Sequence, residues 1–381
     1  LGYTGDATFI KKIRYSHLNK LLTKFKGCTY LLIIKPIAML KKISAASIGI
    51  LSLLSANAQT DSSKKATTTF TGSVDAYYRY NFNEPKTGTN NLTSFTNSVN
   101  SFELGMASLK VDHTVGKVSA TADFGFGKRA QEFSYNDVGT TLTAIKQAYV
   151  SYAPSDKVKF TFGKWATHCG WELLDAYANR NYSMSYGFSF GPFFHTGLKA
   201  DISLGGKSAL MLGVANPVDY VSAPSSTKYI LAQFSTGTSN DKLKAYLNFH
   251  GGTGLTQFNL VVNGTVTDQL SIVYDGSLNT TKIGTTNSSW KSHAVYFNYD
   301  PTKLFGLTLR ADYFDDRKLS PLLAGGKNVF ATTLSGNVKV DNLTIIPELR
   351  LDNAATTIFT KGTGAGTKST ASFILAAVYK F

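Results

Sequence analysis

What most constrains this chain is a recurring stretch of about ten residues with strict apolar/polar alternation, each closed by Gly, Asn, Asp, Ser or Pro. Phe70, Val74, Ala76, Tyr78 and Tyr80 oppose Thr71, Ser73, Asp75, Tyr77 and Arg79. Val118, Ala120, Ala122, Phe124 and Phe126 oppose Ser119, Thr121, Asp123 and Gly125, and the pattern returns at Leu243–Phe249, Leu307–Tyr313 and Leu343–Leu351. In a strand the two sets face opposite sides of the sheet. A water-soluble sandwich alternates too, so the connections decide. They run short, then long, with the long set at 83–100, 130–141, 166–191, 217–226, 281–289, 317–326 and 354–368. Tight turns at one end and large loops at the other predict a transmembrane, antiparallel, up-and-down all-β barrel of about 16 strands, with both termini on the periplasmic side.

The N-terminus reads differently. Met39-Leu40-Lys41-Lys42 precedes the apolar run Ile43–Leu54 and then Ser55-Ala56-Asn57-Ala58, the pattern of a signal peptide cleaved after Ala58. About 12 apolar residues are too few to span a bilayer. The expected organisation is therefore an upstream extension at 1–38, a signal peptide at 39–58, a short periplasmic segment at 59–68 and a barrel at 69–381. Residues 1–58 carry nine Lys and Arg against the single acid Asp6, so the net charge falls from +15 to +7 without them. The basic balance then belongs largely to the leader and gives no support to a nucleic-acid partner. Cys28 leaves with it, and the remaining Cys169 can form no intrachain disulfide.

Aromatic girdles at the two membrane interfaces need Tyr and Phe near strand ends. Tyr78, Tyr80, Phe82, Tyr152, Tyr299, Tyr313 and Phe314 are placed to supply them. The chain stops on Phe373–Phe381, a strand ending in Tyr379 and Phe381 that resembles the recognition strand read by the barrel-assembly machinery.

The segment Phe162-Gly163-Lys164-Trp165, then Glu172, Asn181-Tyr182-Ser183 and Pro192-Phe193-Phe194-His195-Thr196-Gly197, resembles the motif succession of the putative β-barrel porin-2 (OmpL-like) family. Arg310-Ala311-Asp312-Tyr313-Phe314-Asp315-Asp316 is similar to that family's acidic-aromatic strand ending. The chain departs from the family at Cys169-Gly170-Trp171, where a Pro-x-Gly type turn is expected. The resemblance runs from about residue 70 to the C-terminus and implies a diffusion porin of the bacterial outer membrane.

A barrel this wide can hold water, so its wall needs polar groups. The inward sets supply Asp75, Arg79, Lys199, Arg310, Asp312, Glu348 and Arg350, of both signs, which predicts weak charge selectivity. The connection 166–191 is dense in large and ionisable residues and is expected to be functional. If it folds inward as a constriction through His168, Trp171, Glu172, Asp175 and Arg180, the two acids should face Arg79, Arg310 or Arg350. Leu173–Tyr177 could form a helical turn there. The alternative is a non-conducting adhesive or structural barrel. A membrane-embedded lipid hydrolase fits less well, because no Ser, His and acid converge on one strand edge. No cofactor, metal ligand set or phosphate loop is read. The expected partners are outer-membrane lipid, the assembly machinery and small hydrophilic solutes, with a homo-oligomer left open.

Overall fold

The computed structural model describes residues 65–316 and 327–381; the leader, its cleavage site and the 317–326 connection lie outside the described residues. Sixteen antiparallel strands close into one barrel. They are β1 (Thr67–Asn81), β2 (Ser101–Val115), β3 (Val118–Phe126), β4 (Ile145–Ser155), β5 (Val158–Ala166), β6 (Phe194–Gly205), β7 (Ser208–Ala215) and β8 (Tyr229–Gly237). Then follow β9 (Leu243–Gly252), β10 (Leu255–Thr265), β11 (Leu270–Ile283), β12 (Thr286–Tyr299), β13 (Phe305–Asp315), β14 (Asn328–Val340), β15 (Leu343–Ala354) and β18 (Ser369–Lys380). A two-residue pair, β16 (Phe359–Thr360) and β17 (Gly366–Thr367), makes a small hairpin inside the last outer connection. Each strand pairs with its sequence neighbour, and β1 also pairs with β18, so no sheet edge is left open.

The alternation sets the two faces as expected. Phe297, Leu309, Leu334, Leu349 and Phe373 stand side by side across five strands on the outer face. Their inward neighbours Thr308, Arg310, Ser335, Glu348 and Arg350 are buried. Pro347 fits because it points outward where β15 briefly loses its pairing with β14, between Ser335↔Glu348 and Val338↔Ile345. A proline there forfeits no ladder bond to β14.

Two sequence expectations need correction. The 281–289 connection is not a long loop: β11 and β12 continue through it to a two-residue turn at 284–285, with Gly284 at φ 62°. Phe314 is not part of a girdle either, since it faces inward, fully buried, with its ring centroid 4.7 Å from that of Phe190. Tyr299 does stand outward near the periplasmic rim, 43% exposed.

Closure at β1 and β18 uses one glycine. Gly72 and Phe381 exchange backbone hydrogen bonds of 2.9 Å in both directions, and the Phe381 ring lies over Gly72 so closely that a Cβ would meet Cζ at 2.1 Å. Only a residue without a side chain leaves that seat open.

Arg at Leu247, Leu309 or Leu349 should cost about 2 to 4 kcal/mol of folding stability in lipid vesicles, while Arg at the inward, half-buried Tyr246 should be much milder. Equal costs on both faces in denaturant unfolding would contradict this orientation. Thr308, inward by sequence, cannot serve as the tolerant control, because it is buried and accepts from Arg180 Nε at 2.7 Å.

Candidate functional site

The outer connection between β5 and β6, L3 (167–193), folds into the barrel and spans much of its depth. Its descending leg starts at the outer rim, where Thr167 meets His195 at 3.2 Å and His168 meets the Phe249 carbonyl at 3.0 Å. It then crosses the lumen: Gly170 N–H donates to Asn259 and Trp171 N–H to Asp275. The tip, a short 3-10 turn at Ala176–Ala178, reaches the inner end. There Arg180 grips Asp300, in a periplasmic turn, with two bonds of 2.9 and 2.8 Å.

The ascending leg climbs β13–β15 one residue at a time. Glu348 accepts from the backbone N–H of Tyr182 and Ser183; Arg310 donates to the Ser183 carbonyl and Arg350 to that of Met184. Glu172 accepts from Ser185 N–H and Asp312 from Tyr186 N–H. The leg thus has a strand's need for backbone partners, met by charged side chains instead of another strand. It ends in α2 (Tyr186–Phe190), whose Phe190 and Tyr186 stack on Phe314.

Three other outer connections pack onto L3. L1 (82–100) is held by Arg79, which donates to the carbonyls of Thr89 and Ser98. L2 (127–144) carries α1 (Lys128–Phe133), whose buried Arg129 lies between the Phe95 and Tyr182 rings at 5.0 and 4.9 Å. L4 (216–228) supplies Asp219, buried beneath the end of L3. Phe95, Phe133, Phe188 and Phe193 from these segments, with Phe194 at the start of β6, form one apolar cluster.

The sequence-derived residues therefore meet, though not always as expected. Glu172 does pair with Arg310, at 2.7 Å, both buried. Asp175 pairs with Lys146 at 2.6 Å, not with an arginine, because the leg passes β4 at that point. Arg79 faces L1 and not the acids of L3. Asp75 accepts from Tyr182 Oη at 2.6 Å, and Arg350 is paired with Asp352. The inward charges expected to line open water are thus mostly committed to loop backbone and buried. Lys199 differs: it is only part-buried and bonds Asp201 at 2.9 Å. Trp171 packs against the cluster of Val261, Val273, Ala294 and Tyr296.

His168, His195 and His250 lie in a row, with ring centroids 5.1 and 5.9 Å apart. Among the described residues no group of three or more His, Cys, Asp or Glu is arranged to hold a metal ion. Burial pushes His168 down to about 4 and the neighbouring Cys169 thiol up, so both are neutral near pH 7. Sequence reasoning missed Arg129, Lys146 and Asp219. Arg129 and Asp219 stand in connections, where alternation assigns no face.

A family model described as putative beta-barrel porin-2, OmpL-like, matches residues 67–381. Among solved structures the chain is similar to the outer membrane channel DcaP of Acinetobacter baumannii, with 13% identity and a TM-score of 0.55 over 84% of this chain and 99% of that one. It is similar also to an anion-selective porin from Comamonas acidovorans, with 11% identity and a TM-score of 0.56 over 83% of this chain and 100% of that one. Against in-vitro folded OmpT of Vibrio cholerae the identity is 13% and the TM-score 0.57, over 85% and 99%. At such identities the likeness is one of fold. No curated protein matches the chain in sequence.

Proposed function

The chain belongs to the putative beta-barrel porin-2, OmpL-like, family, and from that membership we infer that small hydrophilic solutes or ions cross the bacterial outer membrane through this barrel by passive diffusion. The observation that supports the reading is a sixteen-stranded barrel whose inward faces carry polar and charged groups and whose lumen is crossed by L3 down to Asp300. A barrel of this strand number is wide enough for water, and a loop fixed across it turns a wide hole into a sieve. His168, Trp171, Glu172, Asp175 and Arg180 are then constriction residues in the sense that they hold the loop in place. Tyr379, exposed on β18, and Phe381, just past its end, are assigned the assembly signal.

One observation favours a second reading. L1, L2, L3 and L4 pack so deeply into the outer half that many inward side chains there are buried, as in a closed structural or adhesive barrel. Purified protein in a planar bilayer separates the two. A porin gives discrete conductance steps that grow with salt concentration. A membrane that stays silent with protein incorporated would leave the adhesive barrel. Both readings are non-catalytic.

A further inference from the structure

Beside the L3 tip lies a cavity of about 160 Å³, bounded by Tyr177 and Arg180 of the tip and by Asn337, Lys339, Thr344 and Ile346 of the wall. Its charges are unbalanced. Four inner-half acids, Asp112, Asp201, Asp241 and Asp300, are each met by a lysine or arginine within 3.0 Å. Lys339 and Lys380 have no ion pair among the described residues. Both belong to the inward set: Lys339 pairs in register with Thr344, which pairs in turn with Val378, two residues before Lys380. The Lys380 ammonium stands 4.5 Å from the centre of the Tyr177 ring.

We propose that this cavity is a binding subsite for a small organic anion, its carboxylate held between Lys339 and Lys380 and its body laid against the Tyr177 ring. Two ammonium groups on β14 and β18, with the Thr344 hydroxyl of the intervening β15 between them, match an oxyanion. The ring, with Ile346 and Val378, gives a compact carbon skeleton a surface that inorganic phosphate could not use. Arg180 adds little direct attraction, since Asp300 already neutralises it, but it fixes the tip that forms the roof. The neighbouring Asp341, in the turn between β14 and β15, makes no ion pair among the described residues.

The proposal deepens the porin reading, so its test must not need conduction. Glucuronate is titrated into detergent-solubilised full chain in a calorimeter, with glucose as the neutral control and phosphate as the bodiless anion. Saturable glucuronate binding is expected, with half-saturation raised about tenfold or more in Lys339→Gln/Lys380→Gln, little changed in Lys339→Arg, and weaker affinity for phosphate. Glucose should give no saturable heat. The same half-saturation in the double variant, or glucose binding as well as glucuronate, would overturn the subsite. Equal affinity for phosphate would overturn the role of Tyr177. Binding without conductance removes the porin reading alone, and conductance without binding removes the subsite alone.

Discussion

Arg310→Met is expected to free the ascending leg of L3 at a cost of about 3 to 5 kcal/mol, and to raise unitary conductance while the barrel still assembles. Arg310 is fully buried and makes four bonds, to Glu172, to the Ser183 carbonyl and hydroxyl and to Thr333. Methionine fills most of the volume but leaves the Glu172 carboxylate without its countercharge and the Ser183 carbonyl without its Arg310 donor. An unpaired buried charge is the costly outcome, more so than loss of the attraction itself. The strand ladder of β13 with β12 and β14 involves no Arg310 side-chain atom, so the defect should stay in the loop. Single-channel recording should show larger and noisier steps, and hydrogen exchange at Ser183–Ser185 should quicken. Adding Glu172→Met should recover part of the loss by removing the stranded charge, although Ser185 N–H then loses its acceptor. Conductance and exchange both at wild-type levels in Arg310→Met would show that the pair does not hold the loop.

How much of this was legible in the sequence depends on the range of the forces involved. Lipid acts on every outward side chain alike, so period-two alternation names a face for Leu309 or Glu348 without knowledge of any partner. The same parity places Phe314 inward, next to the outward Tyr313; assigning it to the girdle by residue type and position alone ignored it. At the far ends of β11 and β12 the strands carry Thr, Asn, Ser and Lys because apolar alternation is not required above the bilayer. Turn-like composition at 281–289 therefore concealed a hairpin. L3 was recognisable by its length and density of ionisable groups, but its path was not. That path is fixed by contacts such as Tyr182 with Glu348, 166 residues apart, and Arg180 with Asp300, 120 apart. Such pairings depend on which strands become neighbours across the lumen, and single-strand periodicity carries no such information. Asp175 illustrates the limit: that it meets a cation was foreseeable, that the cation is Lys146 was not.

Asp219→Ala is expected to undo the outer knot where L2, L3 and L4 meet. One carboxylate oxygen accepts from Phe193 N–H at 2.6 Å and Phe194 N–H at 3.0 Å, and the other accepts from Tyr135 Oη at 3.0 Å. Its own carbonyl accepts from Asn136 at 2.8 Å, so a single residue ties the β3–β4 and β5–β6 connections to that of β7–β8. Aspartate also suits the backbone, which lies at φ 61°, a conformation it adopts more readily than alanine does. Alanine would leave two buried N–H groups and a phenol unsatisfied at about 1 to 3 kcal/mol each, in addition to the backbone strain. Exchange at the Phe193 and Phe194 amides should therefore accelerate by about two to four orders of magnitude in lipid nanodiscs, on the basis of that same penalty. The side-chain amide introduced by Asp219→Asn keeps one accepting oxygen, so that variant should move exchange by no more than about tenfold. If the alanine variant exchanged as slowly as the wild type, the aromatic cluster of Phe95, Phe133, Phe188, Phe193 and Phe194 would be holding the knot alone. If it exchanges fast while strand amides stay protected, the outer plug is a cooperative unit separable from the barrel, and its opening can gate the lumen without any change in the strands.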